Sequence, residues 1–177
     1  MPSHYSCFCG STLLFEQCCQ PFINKEKQPK TPQQLMKSRF SAYAYGHYQY
    51  IIDTYAHEKK STILVEDIEH SSEGCHWIAL VIHHSKKILT TTAVNHNYFV
   101  EFSAFYIINN TLCEMREKSS FVLEQGQWRY LDGIIIKHDE LSKLSRNQIC
   151  PCNHYPTAWT LSKSPTKAKK YKHCCGK

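Results

Sequence analysis

The chain has 177 residues, 42% hydrophobic and 20% charged, enough to bury a real core and too apolar for wholesale disorder. No window approaches the roughly 18–20 continuous apolar residues of a membrane helix, and Met1 to Cys7 lacks the basic and apolar stretches of a secretory leader, so a cytoplasmic protein is expected. The net charge of +6 is uneven: Lys143 to Lys177 holds eight basic residues and no acid, leaving residues 1–142 with 13 basic and 15 acidic, or −2.

Ten cysteines in a chain of this kind do not suggest a disulfide framework, because the cytosol keeps thiols reduced. At the start, Cys7 and Cys9 make a C-x-C pair, and Cys18 and Cys19 follow as neighbours. Disulfides within either pair would be strained. Gly10-Ser11 supplies a turn whose backbone N–H groups can face sulfur, and Thr12 to Gln17 reads as a short helical turn delivering the second pair. Four thiolates are what a structural zinc site requires, and they leave no position open for substrate. Residues 1–22 therefore read as a zinc knuckle, with iron a chemically possible occupant.

Residues 23–30 are polar, contain Pro29 and read as a linker. An α+β domain is expected over 31–140. Thr31 is placed to cap a helix, with Pro32 at its first position, Gln34 closing a capping box and Gly46 ending it. Leu35, Met36, Phe40, Ala42 and Tyr43 form its apolar stripe, and a second short helix carries Tyr48, Ile51, Ile52 and Tyr55. The stretch 61–76 fits either helix or loop. Trp77 to Ile82 is an apolar run of strand length. Tyr98 to Ile108 alternates, Asn109-Asn110 suits a two-residue type I′ turn, and Thr111 to Leu123 returns. Gln125-Gly126 turns a second hairpin into Gln127 to Leu131. Helices first and an antiparallel meander after predict N-terminal helices packed on one face of a curved sheet.

The first turn sets a register in which opposed residue numbers sum to 219. One face then carries Tyr98, Val100, Phe102, Ala104 and Tyr106 opposite Phe121, Ser119, Glu117, Met115 and Cys113. Continuing through the second turn places Tyr130 opposite Phe121 and Asp132 opposite Ser119. Carboxylates on a core-facing surface must be paired or wet. Glu117 and Asp132 thus become candidates for the polar end of a pocket, with Arg39 reaching in as counter-ion. The alternative is a sheet rim, where they bond backbone N–H groups or Arg39 and only hold the fold. On the opposite face Glu101 meets Lys118 as a solvated pair.

Residues 146–177 repeat the opening pattern as Cys150, Cys152, Cys174 and Cys175. Here 21 residues separate the two pairs, against eight in the first cluster, and Pro156, Trp159 and Pro165 in the insert suggest an extruded loop. His154 or His173 could replace one thiolate. Two zinc ions per chain are expected. Cys75 and Cys113 stand apart and read as small core residues. The basic tail suits an acidic partner, and its lysines with Tyr171 and Trp159 could hold single-stranded nucleic acid.

Cys7-Phe8-Cys9-Gly10-Ser11 with Cys18-Cys19 resembles the SEC-C motif, the zinc knuckle that ends the translocase motor SecA. The second cluster, ending Lys169-Lys170-Tyr171-Lys172-His173-Cys174-Cys175-Gly176, resembles it too, although Asn153-His154 stands where Gly-Ser is expected. A knuckle at each end, around Leu35-Met36-Lys37-Ser38-Arg39-Phe40-Ser41-Ala42-Tyr43, closely resembles the YchJ family over almost the whole chain. That resemblance implies a nuclear transport factor two-like (NTF2-like, cystatin-like cone) domain between the knuckles. It also implies protein docking, on a SecB-like chaperone or the ribosome. No nucleophile–base pair, phosphate loop or open metal site stands out, so an interaction protein ranks ahead of an enzyme using Glu117 or Asp132 as base.

Overall fold

The structure is a computed structural model and describes residues 7–11, 13–87, 98–153 and 169–177. The insert of the second cluster, with His154, Pro156, Trp159 and Pro165, lies outside the described residues. Among the described residues five α-helices precede four strands: α1 (Gln20–Ile23), α2 (Pro32–Tyr45), α3 (Tyr48–Asp53), α4 (His57–Lys60) and α5 (Val65–Ser72), then β1 (His76–Lys87), β2 (Tyr98–Ile108), β3 (Thr111–Glu124) and β4 (Gln127–Lys143). The strands form one antiparallel sheet in the order β1-β2-β3-β4. None of the described helices is long and apolar enough to cross a membrane.

Helix α2 begins and ends where its capping residues dictate. Thr31 Oγ1 accepts from the Gln34 N–H at 3.1 Å. The Gln34 side chain reaches back to the N–H of Lys30 rather than of Thr31, at 2.7 Å, so the reciprocal bond falls one residue upstream of a standard box. Gly46 closes the helix at φ 73°, a left-handed conformation natural to glycine. The single apolar stripe expected for α2 is only part of its buried surface, because Ser38, Arg39 and Ser41 are buried as well. Each finds its own neighbour. Ser38 Oγ donates to Leu35 O and lies 2.7 Å from Tyr50 Oη of α3. Ser41 meets the first cysteine cluster, and Arg39 enters the space between helices and sheet. Solvent is left with Gln34 and the half-buried edge of Gln33, Lys37 and Ala44.

The ambiguous stretch resolves into α5 and the turn before it, with Ile68 and Ser72 buried. Ile23, expected in the linker, is instead the buried end of α1. At the first hairpin Asn109 and Asn110 adopt φ of 47° and 56°, the left-handed pair that a type I′ turn requires. Every β2–β3 pair from Tyr98↔Phe121 to Ile108↔Thr111 keeps the expected register. The second hairpin holds it through Tyr130↔Phe121 and then slips at a bulge, pairing Asp132 with Ser120 and Gly133 with Ser119. Bulges also interrupt β1 after Trp77 and β3–β4 near Glu117, adding the bends that curve a sheet. On the outer face the Glu101–Lys118 pairing stands, but the ion pair forms between Glu101 and Arg116, while Lys118 Nζ sits 4.2 Å above the Phe99 ring.

Two buried clusters result among the described residues. The larger joins α2 and α3 to the inner sheet face through Leu35, Phe40, Ile51, Leu80, Val100, Phe102 and Phe121. The smaller gathers Ile78, Ala79, Ile107, Leu112 and Leu144. Ala79 pairs with Phe105 and Ile107 with Leu112, and alternation along β2 puts these on the opposite face from Phe102 and Ala104.

Candidate metal centres and central cavity

Cys7 and Cys9 flank a turn closed by Gly10 N–H on Cys7 O at 3.3 Å, and Gly10 takes φ 83°. A short 3-10 turn, Phe15–Gln17, then delivers Cys18 and Cys19, more compactly than the helical turn expected from Thr12. The four sulfurs lie within 4.8 Å of one another. Adjacent separations are 3.6 Å for Cys9–Cys18 and 3.9 Å for Cys18–Cys19. Tetrahedral zinc with bonds of about 2.3 Å sets its sulfurs roughly 3.8 Å apart, whereas a disulfide needs about 2 Å. The donor set therefore fits a structural metal ion. Ser11 Oγ stands 3.0 Å from Cys18 Sγ, and Ser41 Oγ of α2 stands 3.3 Å from Cys7 Sγ, so hydroxyls brace two of the ligands.

The protons of four crowded thiols cannot all leave together without a cation. Hydrogen bonding from Cys18 holds the Cys9 thiol far below its ordinary range, and Cys19 draws Cys18 down to about 7. Cys7 and Cys19 are driven upward, chiefly by Cys18 and further by burial. A divalent ion would reverse that, letting every sulfur bind as thiolate.

At the second centre Cys150, Cys152, Cys174 and Cys175 again lie within 4.8 Å. Separations of 3.4 Å, 3.5 Å and 4.0 Å link Cys150–Cys152, Cys152–Cys174 and Cys174–Cys175. The thiol of Cys152 lowers Cys150 to about 2, and Cys150 in turn raises Cys152 and Cys175. His173 is exposed and stands outside the quartet, so the described residues supply four sulfurs and no imidazole. Two 3-10 turns, Pro151–Asn153 and Tyr171–His173, present the pairs. An Ile149↔Lys170 bridge and the bond from Tyr171 N–H to Gln148 O, 2.8 Å, tie them together. Tyr171 is 4% exposed and donates to Asn110 Oδ1 at 2.9 Å, which pins the cluster to the first hairpin turn. A ring so placed is not free to stack on a nucleic-acid base. Of the two isolated thiols, Cys113 is buried and Cys75 is half-buried.

The pocket candidates part company. Asp132 is exposed, carried off the inner face by the bulge; the Gly133 N–H holds it below the usual carboxylate range, and Lys59 pairs with it at 3.3 Å. The expected union of Asp132 with Glu117 does not occur, because one extra residue, Leu131, reverses the alternation beyond Tyr130. Glu117 is buried, and its Oε1 accepts from Tyr130 Oη at 2.9 Å and from Ser119 Oγ at 2.5 Å. Arg39 makes no ion pair with it. Instead Nη1 donates to Ile51 O and Thr54 Oγ1, and the guanidinium packs 4.6 Å and 4.4 Å from the Tyr55 and Tyr130 ring centres. Tyr55 is held there by a bridge to β4, where Ala56 N–H bonds Tyr130 O and Tyr130 N–H bonds Thr54 O. Burial, and then the Glu117 charge, push the Tyr130 hydroxyl well above its ordinary pKa. Arg39 and Glu117 line one cavity of about 320 Å³ with Tyr43, Trp77, Phe102 and Met115. Ser119 and Tyr130 share the inner face that the register assigned to Glu117, whereas Trp77 carried no sign of this role in the sequence, since only tertiary packing brings it to the cavity with Arg39.

A family model described as the YchJ middle NTF2-like domain matches residues 31–133. A UPF0225 protein of Serratia proteamaculans is 33% identical over 97% of each chain. One from Vibrio cholerae is 31% identical, covering 97% of this chain and 99% of its own. A SEC-C motif containing protein from Rhodopseudomonas palustris, solved in solution, superposes with a TM-score of 0.66 at 24% identity, over 75% of this chain and 99% of that one. The crystal structure of another, from Psychrobacter arcticus, gives 0.65 at 24% identity over 98% and 97%. At such identities the likeness concerns the fold.

Proposed function

Because the chain belongs to the UPF0225 family, with a middle domain of the YchJ NTF2-like type, we propose that it is a cytoplasmic zinc-binding adaptor. Each terminal knuckle holds one zinc ion and presents a metal-stiffened surface to a protein partner. The observation that carries this reading is the saturation of both quartets: four sulfurs at tetrahedral spacing leave a bound ion no vacancy for substrate. A metal so enclosed organises surface; it does not perform chemistry. Exposed Lys169 and Lys170 beside the second quartet suit an acidic partner. The SEC-C resemblance directs attention to a chaperone or the ribosome, and the two solved SEC-C motif containing proteins share this fold.

Two measurements test the proposal. Elemental analysis of reduced, purified chain should return two zinc equivalents, and none of either zinc or iron would end the metal reading. Capture from cytosol should then recover a defined chaperone or ribosomal protein with the zinc-loaded chain and lose it after chelation. Recovery of the same proteins by stripped chain, or of none by loaded chain, would remove the adaptor.

A further inference from the structure

The cavity between helices and sheet holds two buried opposite charges that do not touch. Arg39 is 3% exposed and Glu117 9%. In a medium of low polarity such a pair attracts strongly and ordinarily collapses into contact. Here each is held back by its own brackets. The guanidinium is clamped by Ile51 O, Thr54 Oγ1 and two tyrosine rings. The carboxylate is fastened by Tyr130 and Ser119 through Oε1 alone. The hydrogen bonds just described engage Nη1 of Arg39 and Oε1 of Glu117, and among the described residues the buried indole N–H of Trp77, on the same cavity wall, has no hydrogen-bond partner. A buried N–H without a partner is costly, so a group in the cavity that accepts from Trp77 between the two charges is favoured.

We propose that this cavity binds a small zwitterion with an aromatic body, its anionic group on Arg39 and Trp77 and its cationic group on Glu117. The lining charges cancel, so a singly charged ligand would leave one pole uncompensated, whereas a zwitterion satisfies both. Aromatic walls from Phe40, Tyr43, Trp77 and Phe102 select the body. A volume of about 320 Å³ lies at the small end of ligand pockets, the size of an amino acid rather than of a nucleotide. Gly133 contributes by its lack of a side chain: a methyl group there would strike Glu117 Oε1 and Tyr130 Oη, so the carboxylate keeps its place only above a glycine. A second cavity of similar volume runs past Lys25, Lys60 and Arg129. Lys27 lines it too, but its other cations are already engaged, Lys25 and Lys60 by the Asp53 carboxylate and Arg129 by Asp53 O and Gln127.

The inference is independent of what the metal ends dock on. Its test uses the zinc-loaded full chain with L-phenylalanine, phenethylamine, which lacks the carboxylate, and 3-phenylpropionate, which lacks the amine. Calorimetric titration should rank phenylalanine about tenfold or more ahead of both single-charge probes. In nitrogen-edited NMR it should shift the Trp77 indole N–H and leave that of Trp128, which donates to Lys30 O, in place. Glu117→Gln, which keeps shape and removes charge, should bring phenylalanine and phenylpropionate to within about twofold of each other. No saturable binding by any probe, binding of either single-charge probe as tight as that of phenylalanine, or a shift confined to Trp128 would overturn the proposal, and all three readouts come from the unmodified chain.

Discussion

The two knuckles share a ligand pattern and differ in what they are packed into. Cys7, Cys9 and Cys19 are 0%, 3% and 1% exposed and belong to the large cluster that α2 and the inner sheet face build together. Cys150 and Cys152 are equally buried, but Cys174 and Cys175 are only half-buried, and their cluster covers the outer face near the first hairpin. One sheet therefore carries a thiol quartet on each side. The inner one is continuous with the main core, and the outer one is seated on a small patch fastened by Tyr171. Identical chemistry should thus have unequal consequences: the first centre is a part of the fold, and the second is attached to it.

Substitutions can break that comparison. The largest effect is expected from Cys19→Ser, which removes a buried ligand and loosens the knuckle over Leu35 and Phe40. Metal content should fall from two to one, with a stability loss on the order of 4 kcal/mol in urea titration. Cys174→Ser should also leave one metal, at a cost of roughly 2 kcal/mol, because the inner core stays whole. If the two variants lose equal stability, the distinction between built-in and attached is wrong. Tyr171→Phe keeps the ring and deletes its bond to Asn110. About 1 kcal/mol should go, speeding metal release from the second centre roughly fivefold in a chelator assay and leaving the first unchanged. The smallest effect belongs to Ser41→Ala, which removes the hydroxyl beside Cys7 Sγ. About 0.5 kcal/mol, or roughly twofold faster release from the first centre only, is expected.

How much of this was legible in the sequence depended on whether the determinant was local. The quartets, the Thr31 cap, the Gly46 stop and the Asn109-Asn110 turn are short-range chemistry, and the structure follows them. Register propagated from that turn correctly because nothing interrupts β2–β3. It failed at Asp132 because Leu131 looks like any outward strand residue until its partner strand is present. Likewise β4 runs on to Lys143 through exposed Ile134, Ile135 and Ile136, since its length is set by pairing with β3 and not by its own turn signals. Arg39 and Glu117 were recognisable as polar residues in apolar surroundings. What the sequence could not convey is that the tyrosines of two other segments would hold them apart.

The bare backbone at Gly133 implies a constraint linking distant positions of the chain. Since a single added carbon there would displace the tip of the Glu117 side chain and the Tyr130 hydroxyl, the size of residue 133 and the position of the carboxylate are coupled. In a set of aligned relatives, any chain with a bulkier residue at 133 should show a compensating truncation at 117, such as aspartate or serine. Chains that keep glutamate should keep glycine. That coupled substitution pattern would be the evolutionary footprint of a carboxylate held in place for use.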